Sequence, residues 1–141
     1  MEEIFNGLAD SDFIAEFDPS YQNLIHQLIE QGASYEQIGI EMSAMPSLGM
    51  TTKGSGTWDK DIFKKILAEV AVIICGDGND PLSQKLKSET NITSTVITTI
   101  TSGYVGSTLG FAAALCTPFV LLAFAVILKA GKNVFCQSFN N

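Results

Sequence analysis

The sequence predicts an all-α protein, with a bundle of about five amphipathic helices around or preceding a C-terminal apolar helical hairpin. Three observations predict this fold class. Apolar residues recur at three- and four-residue spacing through much of the chain. The pairs Asp18-Pro19 and Asp80-Pro81 are typical helix starts. Residues 90–128 carry no charge, and a helix that is apolar on all sides must be buried in protein or in lipid.

The 141 residues suffice for one domain with its own core. We divide them into an acidic helical segment, 1–45, a flexible loop, 46–57, amphipathic helices, 58–89, and an uncharged apolar helical hairpin, 90–136. Residues 1–50 hold nine acids without Lys or Arg, and the whole chain lacks Arg. Phosphate binding needs clustered cations, so this charge distribution argues against nucleic acid as a partner.

The acidic segment predicts short helical pieces at 4–9 and 11–17, followed by two longer helices. The first begins at Asp18-Pro19 and stops before Gly32. The second opens with a capping box at residues 34–37 and runs to about Met45. Residues of these helices that could bind a partner protein, by a helix-in-groove contact, are Tyr21, Leu24, Leu28, Tyr35 and Ile38.

The stretch LIHQLIEQGASYEQIGIEM resembles the first two helices of a helix-turn-helix. A DNA reader of that family would next present a recognition helix, but residues 46–56 have the composition of a loop with little charge. We therefore favour simple packing of two helices over DNA recognition.

From Trp58 the helical pattern resumes, with Asp59 and Asp61 in the first turn. Its last turns, VAVIIC, are apolar on every side and predict burial all round. Residues 76–80 then break the helix, and Asp80-Pro81 starts another that ends near Ser88. Residues 77–80 contain possible calcium ligands, but the twelfth loop position holds Ser88 where an EF-hand needs Glu, so we favour a plain turn.

Residues 91–101 are rich in β-branched side chains, which favours a strand, yet their apolar residues recur every four positions. We predict a helix. Small residues continue this spacing and predict a ridge for close helix association and a homo-oligomer. The ridge comprises Ser102, Gly106, Gly110 and Ala114. The Thr-rich face would suit either a half-buried surface or a polar pore lining.

Residues 109–128 are long enough to cross a bilayer, and Pro118 predicts a kink or interruption within them. Lys129 and Lys132 follow and would favour the cytoplasmic side. The residues expected to contact lipid are Leu109, Phe111, Leu115, Pro118, Phe119, Leu122, Phe124 and Val126.

The cysteines and the N-terminus suggest a compartment. The chain has an odd number of cysteines, and they are widely spaced: Cys75, Cys116 and Cys136. This pattern predicts reduced thiols in a cytosolic setting. The first residues lack the basic and apolar regions of a secretory signal. We expect a cytoplasmic protein, or one associated with the cytoplasmic membrane.

No catalytic, metal or cofactor signature stands out in the sequence. The single histidine, His26, lies beside Gln22 and Glu30 on the polar face of its helix, and no nucleophile has a recognisable context. We therefore expect no enzyme activity and no cofactor.

Two functions remain open. The leading hypothesis is a membrane-active or membrane-anchored protein that inserts its hairpin into the lipid bilayer, a pore-forming or membrane-perturbing effector in bacterial conflict or cell death. Its design of amphipathic helices around an apolar hairpin resembles colicin pore domains and Bcl-2-like proteins in architecture, which implies a soluble bundle able to insert later. The alternative is a soluble all-α interaction or oligomerisation module whose hairpin is its core, with a protein partner at the acidic N-terminal helices.

Overall fold

The computed structural model describes residues 5, 7–44 and 60–140. Over these ranges helices joined by turns are the regular secondary structure and no strand is present, which confirms the all-α class. The helices are α1 Asp10–Ile14, α2 Pro19–Glu30, α3 Tyr35–Ala44, α4 Ile62–Ile74, α5 Pro81–Ser88, α6 Ser94–Leu109, α7 Ala113–Ala130 and α8 Lys132–Asn140. The predicted loop at 46–57 lies outside the described residues, as do Met45, Trp58 and Asp59.

Local capping signals set several helix starts. At α3 the capping box is present: Ser34 N donates to Gln37 Oε1 at 2.9 Å, and Gln37 N donates to Ser34 Oγ at 3.1 Å. At α5, Asp80 Oδ2 accepts from Ser83 N at 3.0 Å. Asp18 occupies the N-cap position of α2 without a side-chain capping bond. The prediction that these residues start helices is confirmed at all three places.

The Thr-rich segment forms α6. The helix predicted over residues 91–101 is therefore confirmed from Ser94 onward. Thr93 Oγ1 caps this helix by accepting from Val96 N at 3.2 Å. The helix ends at Gly110, whose φ of +83° is the left-handed conformation that glycine adopts most readily. Residues 110–112 join α6 to α7, which packs against it.

The apolar helix α7 lies at the centre of the described fold. It packs against α1, α3, α4, α6 and α8, and residues 119–125 are all buried. The Phe124 ring stacks on Phe13 at 4.8 Å between centroids and meets Phe5 at 5.5 Å. Burial on every side within the protein therefore accounts for residues 119–125, the most apolar part of the uncharged run.

The burial expected all round at VAVIIC is wrong, and of the kink or interruption expected at Pro118 the interruption does not occur. Val72 is 60% exposed, so the end of α4 is not buried all round. The reason is that α7 takes the central position and α4 keeps one face toward solvent. The helix α7 also continues through Pro118 without interruption. Pro118 leaves the Ala114 carbonyl without its helical donor, but Ala114 is exposed, where water can satisfy that oxygen.

The expectation of three reduced thiols is also wrong. Cys75, at the end of α4, forms a disulfide with Cys136 in α8, with Cα atoms 5.5 Å apart. The helix α8, which returns Cys136 to α4, was not predicted from the sequence. Cys116 is a free thiol, and its burial in α7 raises its pKa to about 11.

Candidate functional site

The candidate functional site is an apolar groove between α2 and α3. The connection that builds it is short and well capped. Ala33 N donates to Leu28 O at 2.9 Å, and Gly32 adopts a φ of +98°. Because the capping box at Ser34 then restarts the helix at once, α3 packs back against α2.

The groove has a cavity volume of about 220 Å³. Its lining is apolar apart from the carboxylate of Glu41 and the hydroxyl of Tyr21. The lining residues are Tyr21, Leu24, Ile25, Leu28, Ile38, Glu41 and Met42. Leu24 is 42% exposed, so an apolar side chain on one wall stays in contact with solvent.

Four of the five residues predicted to bind a partner meet in this groove: Tyr21, Leu24, Leu28 and Ile38. The sequence analysis missed Glu41 and Met42 as wall residues. Met42 follows Ile38 by four residues on α3, so the helical repeat that identified Ile38 could also have identified Met42.

Tyr35, the fifth predicted residue, does not line the groove. Its hydroxyl donates to Asp10 Oδ2 at 2.8 Å, and its ring lies beneath the Lys129 ammonium. Burial raises the pKa of Tyr35 to about 12, and the hydrogen bond with Asp10 and the charge of that carboxylate act in the same direction. Tyr35 therefore joins α1, α3 and α7 within the fold.

The residues expected to contact lipid lie inside the bundle or at its edge. Leu115, Phe119, Leu122 and Phe124 are buried, whereas Leu109, Phe111, Pro118 and Val126 are half-buried. Within the described part of the chain, α7 is the one helix whose length and composition would allow it to cross a bilayer. The core helix of a soluble protein meets the same criterion.

The small-residue ridge does not run along one helix face. Ser102 and Gly106 are buried in α6, Gly110 terminates that helix, and Ala114 is an exposed residue of α7. A Cβ added at Gly106 would lie 2.6 Å from Phe111 O. The four-residue spacing therefore breaks at the α6–α7 turn, and Gly106 serves a close contact within the chain.

The α6 face toward the core contains hydroxyls in an apolar setting. Thr98, Thr101 and Ser102 are buried, and their side-chain oxygens have no hydrogen-bond partner among the described residues. Thr101 lies among apolar side chains of three other helices: Val70, Ile73, Ile74, Leu82, Leu86 and Phe124. Each such oxygen costs about 1–3 kcal/mol if it stays unsatisfied.

The other candidate sites are ordinary surface features. His26 is exposed on α2. In the predicted turn, Asn79 N donates to Asp77 Oδ1 at 3.0 Å, and this hydrogen bond holds the pKa of Asp77 below its usual value. No cluster of metal-ligating side chains occurs within the described ranges.

In comparisons with known proteins, no family, no curated protein and no solved structure matches this chain.

Proposed function

We propose that this protein is a soluble helical interaction module that binds a helix of a partner protein in the α2–α3 groove. The observation that carries the proposal is the apolar lining of the groove together with the 42% exposure of Leu24. Helix-in-groove recognition uses an open apolar wall between two helices. The function is one of binding, without a catalytic step.

The burial of α7 supports this proposal over a membrane function. Every residue from 119 to 125 packs inside the bundle, so the apolar run has a role as the core of a protein in water. A membrane function would need the bundle to open and to give up these contacts. For that reason the groove, which is already accessible, is the stronger candidate.

A selection from a phage-displayed library of amphipathic helices tests the proposal. Selected peptides should lose binding to Leu24→Ser and retain it with Val72→Ser, because Val72 is an exposed apolar residue of α4 that does not line the groove. Circular dichroism should show that both variants are folded. If no peptide distinguishes the two variants, the groove is not the binding site.

Membrane insertion of an α6–α7 hairpin, with association through Ser102 and Gly106, is the second candidate function. The buried hydroxyls of α6 favour it, because opening of the bundle would let them find hydrogen-bond partners, either across a helix–helix contact or in the water of a pore. Its test uses protein purified without detergent and dye-loaded anionic vesicles. The interaction module should be soluble and leave the vesicles intact. If wild-type protein releases the dye and the Phe124→Lys variant does not, the result would favour insertion instead.

A further inference from the structure

We propose that the segment recognised by the α2–α3 groove is a basic amphipathic helix, with an apolar face in the groove and Lys or Arg residues along its edges. This inference rests on the proposed function, since it specifies the partner of the same site. It is carried by the charge around the groove. Residues 18–44 contain four acids and no Lys or Arg.

One acidic side chain lies on the α3 wall of the groove, and a second precedes the α2 wall in the chain. Glu41 lines the groove itself and follows Ile38 by three residues on α3. Asp18 is the N-cap residue of α2, three residues before the lining residue Tyr21, and is itself outside the lining. Both residues are exposed, so their charges are directed to the solvent that an incoming segment would cross.

Lys129, a cation that contacts α3, lies away from these charges. Lys129 lies over the Tyr35 ring, and neither residue belongs to the groove lining. A partner with cations beside its apolar face would therefore be attracted by Glu41 on one wall and by Asp18 at the start of α2, while its apolar side chains contact Leu24 and Leu28.

The same charges disfavour the other occupants of an apolar groove. A second copy of this chain would bring a second acidic hairpin against the first, because the chain carries a net charge of −7 and its first 50 residues lack cations. An anionic lipid surface would be repelled for the same reason. A basic helix from another protein is the occupant that satisfies both the apolar walls and their acidic edges.

Two matched amphipathic peptides test this inference by fluorescence anisotropy. They share one leucine face and differ only in edge residues, which are Lys in one and Gln in the other. We expect the Lys peptide to bind about tenfold more tightly at low salt and to lose most of that advantage at high salt. Glu41→Gln should weaken the Lys peptide about two- to fivefold. The control is Glu36→Gln, an exposed acid of α3 outside the groove lining, which should change affinity less.

The outcomes separate this inference from the proposed function. If both peptides bind equally and Leu24→Ser abolishes both, the groove binds helices and the charge inference is overturned. If Glu41→Gln and Glu36→Gln weaken binding equally, net charge and not the groove attracts the peptide, which also overturns it. If neither peptide binds, or Leu24→Ser has no effect, the inference and the proposed function both fail. A protein dimer that Leu24→Ser dissociates would identify a second copy as the occupant and overturn the inference.

Discussion

The ammonium of Lys129 lies over the ring of Tyr35, with Nζ 5.2 Å from the ring centroid. Lys129 is the only charged residue of α7, and this cation–π contact holds the C-terminal turn of the core helix against the start of α3. The Tyr35 hydroxyl continues the contact to Asp10 at the start of α1. The Tyr35 side chain thus contacts α1 and α7 as well as belonging to α3, and it joins the three helices at one end of the bundle.

Tyr35→Phe should lower the stability of the fold by about 0.5–1.5 kcal/mol at neutral pH, because it removes the hydrogen bond to Asp10 and leaves the ring in place. Urea denaturation followed by circular dichroism measures the change. The m-value should stay the same, since the surface exposed on unfolding hardly differs. Unchanged stability would mean that water replaces the Asp10 contact at no cost.

The raised pKa of Tyr35 predicts that the stability of the fold depends on pH. Folding raises the pKa of Tyr35 from its ordinary value of 10.0 to about 12, so the folded state holds the phenol proton more tightly than the unfolded chain does. Its contribution to stability is complete below pH 10 and is lost as the pH rises to 12. Wild-type protein should therefore lose stability more steeply than Tyr35→Phe over this interval. Equal slopes for the two proteins would contradict the assignment.

Helix starts could be predicted from sequence wherever the signal is local. The capping box at Ser34 and the pair Asp80-Pro81 determine their helices through contacts within one turn, and the groove residues of α2 follow from helical periodicity. Tyr35 was placed with the groove residues by the same repeat. Its actual partners, Asp10 and Lys129, lie far away in sequence, so no local pattern could show them.

Contacts between residues far apart in the sequence also explain why the predictions for Pro118 and for the small-residue ridge differ from the structure. Pro118 is a strong local breaker, yet packing of α7 on its neighbours maintains one continuous helix. The residues of the predicted ridge are separated by the α6–α7 turn, because Gly110 has the glycine conformation that ends α6. The four-residue spacing therefore continues across the turn in the sequence, but these residues do not form one continuous surface in the fold.

Thr101→Val should stabilise the fold by about 1 kcal/mol. The hydroxyl of Thr101 is buried among apolar side chains without a partner in the described structure, and a methyl group of nearly the same size removes its desolvation cost. Thermal and urea denaturation measure the gain. Thr99→Val, at an exposed position of α6, is the matched control and should shift stability by less than about 0.5 kcal/mol. Destabilisation by Thr101→Val would reveal a hydrogen bond from this hydroxyl in solution.

Gly106→Ala should destabilise the fold by about 1–3 kcal/mol, because the added Cβ would lie 2.6 Å from Phe111 O and push against the turn before α7. Gly103→Ala provides the control on the same helix. A Cβ at Gly103 meets nothing within 4 Å, so alanine should stabilise α6 by about 0.5–1 kcal/mol through its helix propensity. Equal gains at both positions would mean that the α6–α7 turn is more open than the structure describes.

The disulfide between Cys75 and Cys136 should make a large contribution to stability. Its partners are 61 residues apart, and in the chain-entropy model closing a loop of that length stabilises the fold by about 4 kcal/mol. Dithiothreitol should therefore lower the urea midpoint of the wild type. It should leave a protein carrying Cys75→Ser and Cys136→Ser unchanged, and that variant should unfold near the midpoint of the reduced wild type.

Alkylation of the three cysteines tests the bond directly and bears on the compartment. With iodoacetamide and no reductant, the native protein should add no label, because the free thiol of Cys116 is buried and its pKa is raised to about 11. Unfolding in urea should then expose Cys116 alone to the reagent. In protein unfolded with urea and alkylated at the moment of lysis, a count of three would show reduced thiols and favour the cytoplasmic location. A count of one would favour an oxidising compartment, where disulfides of this kind persist.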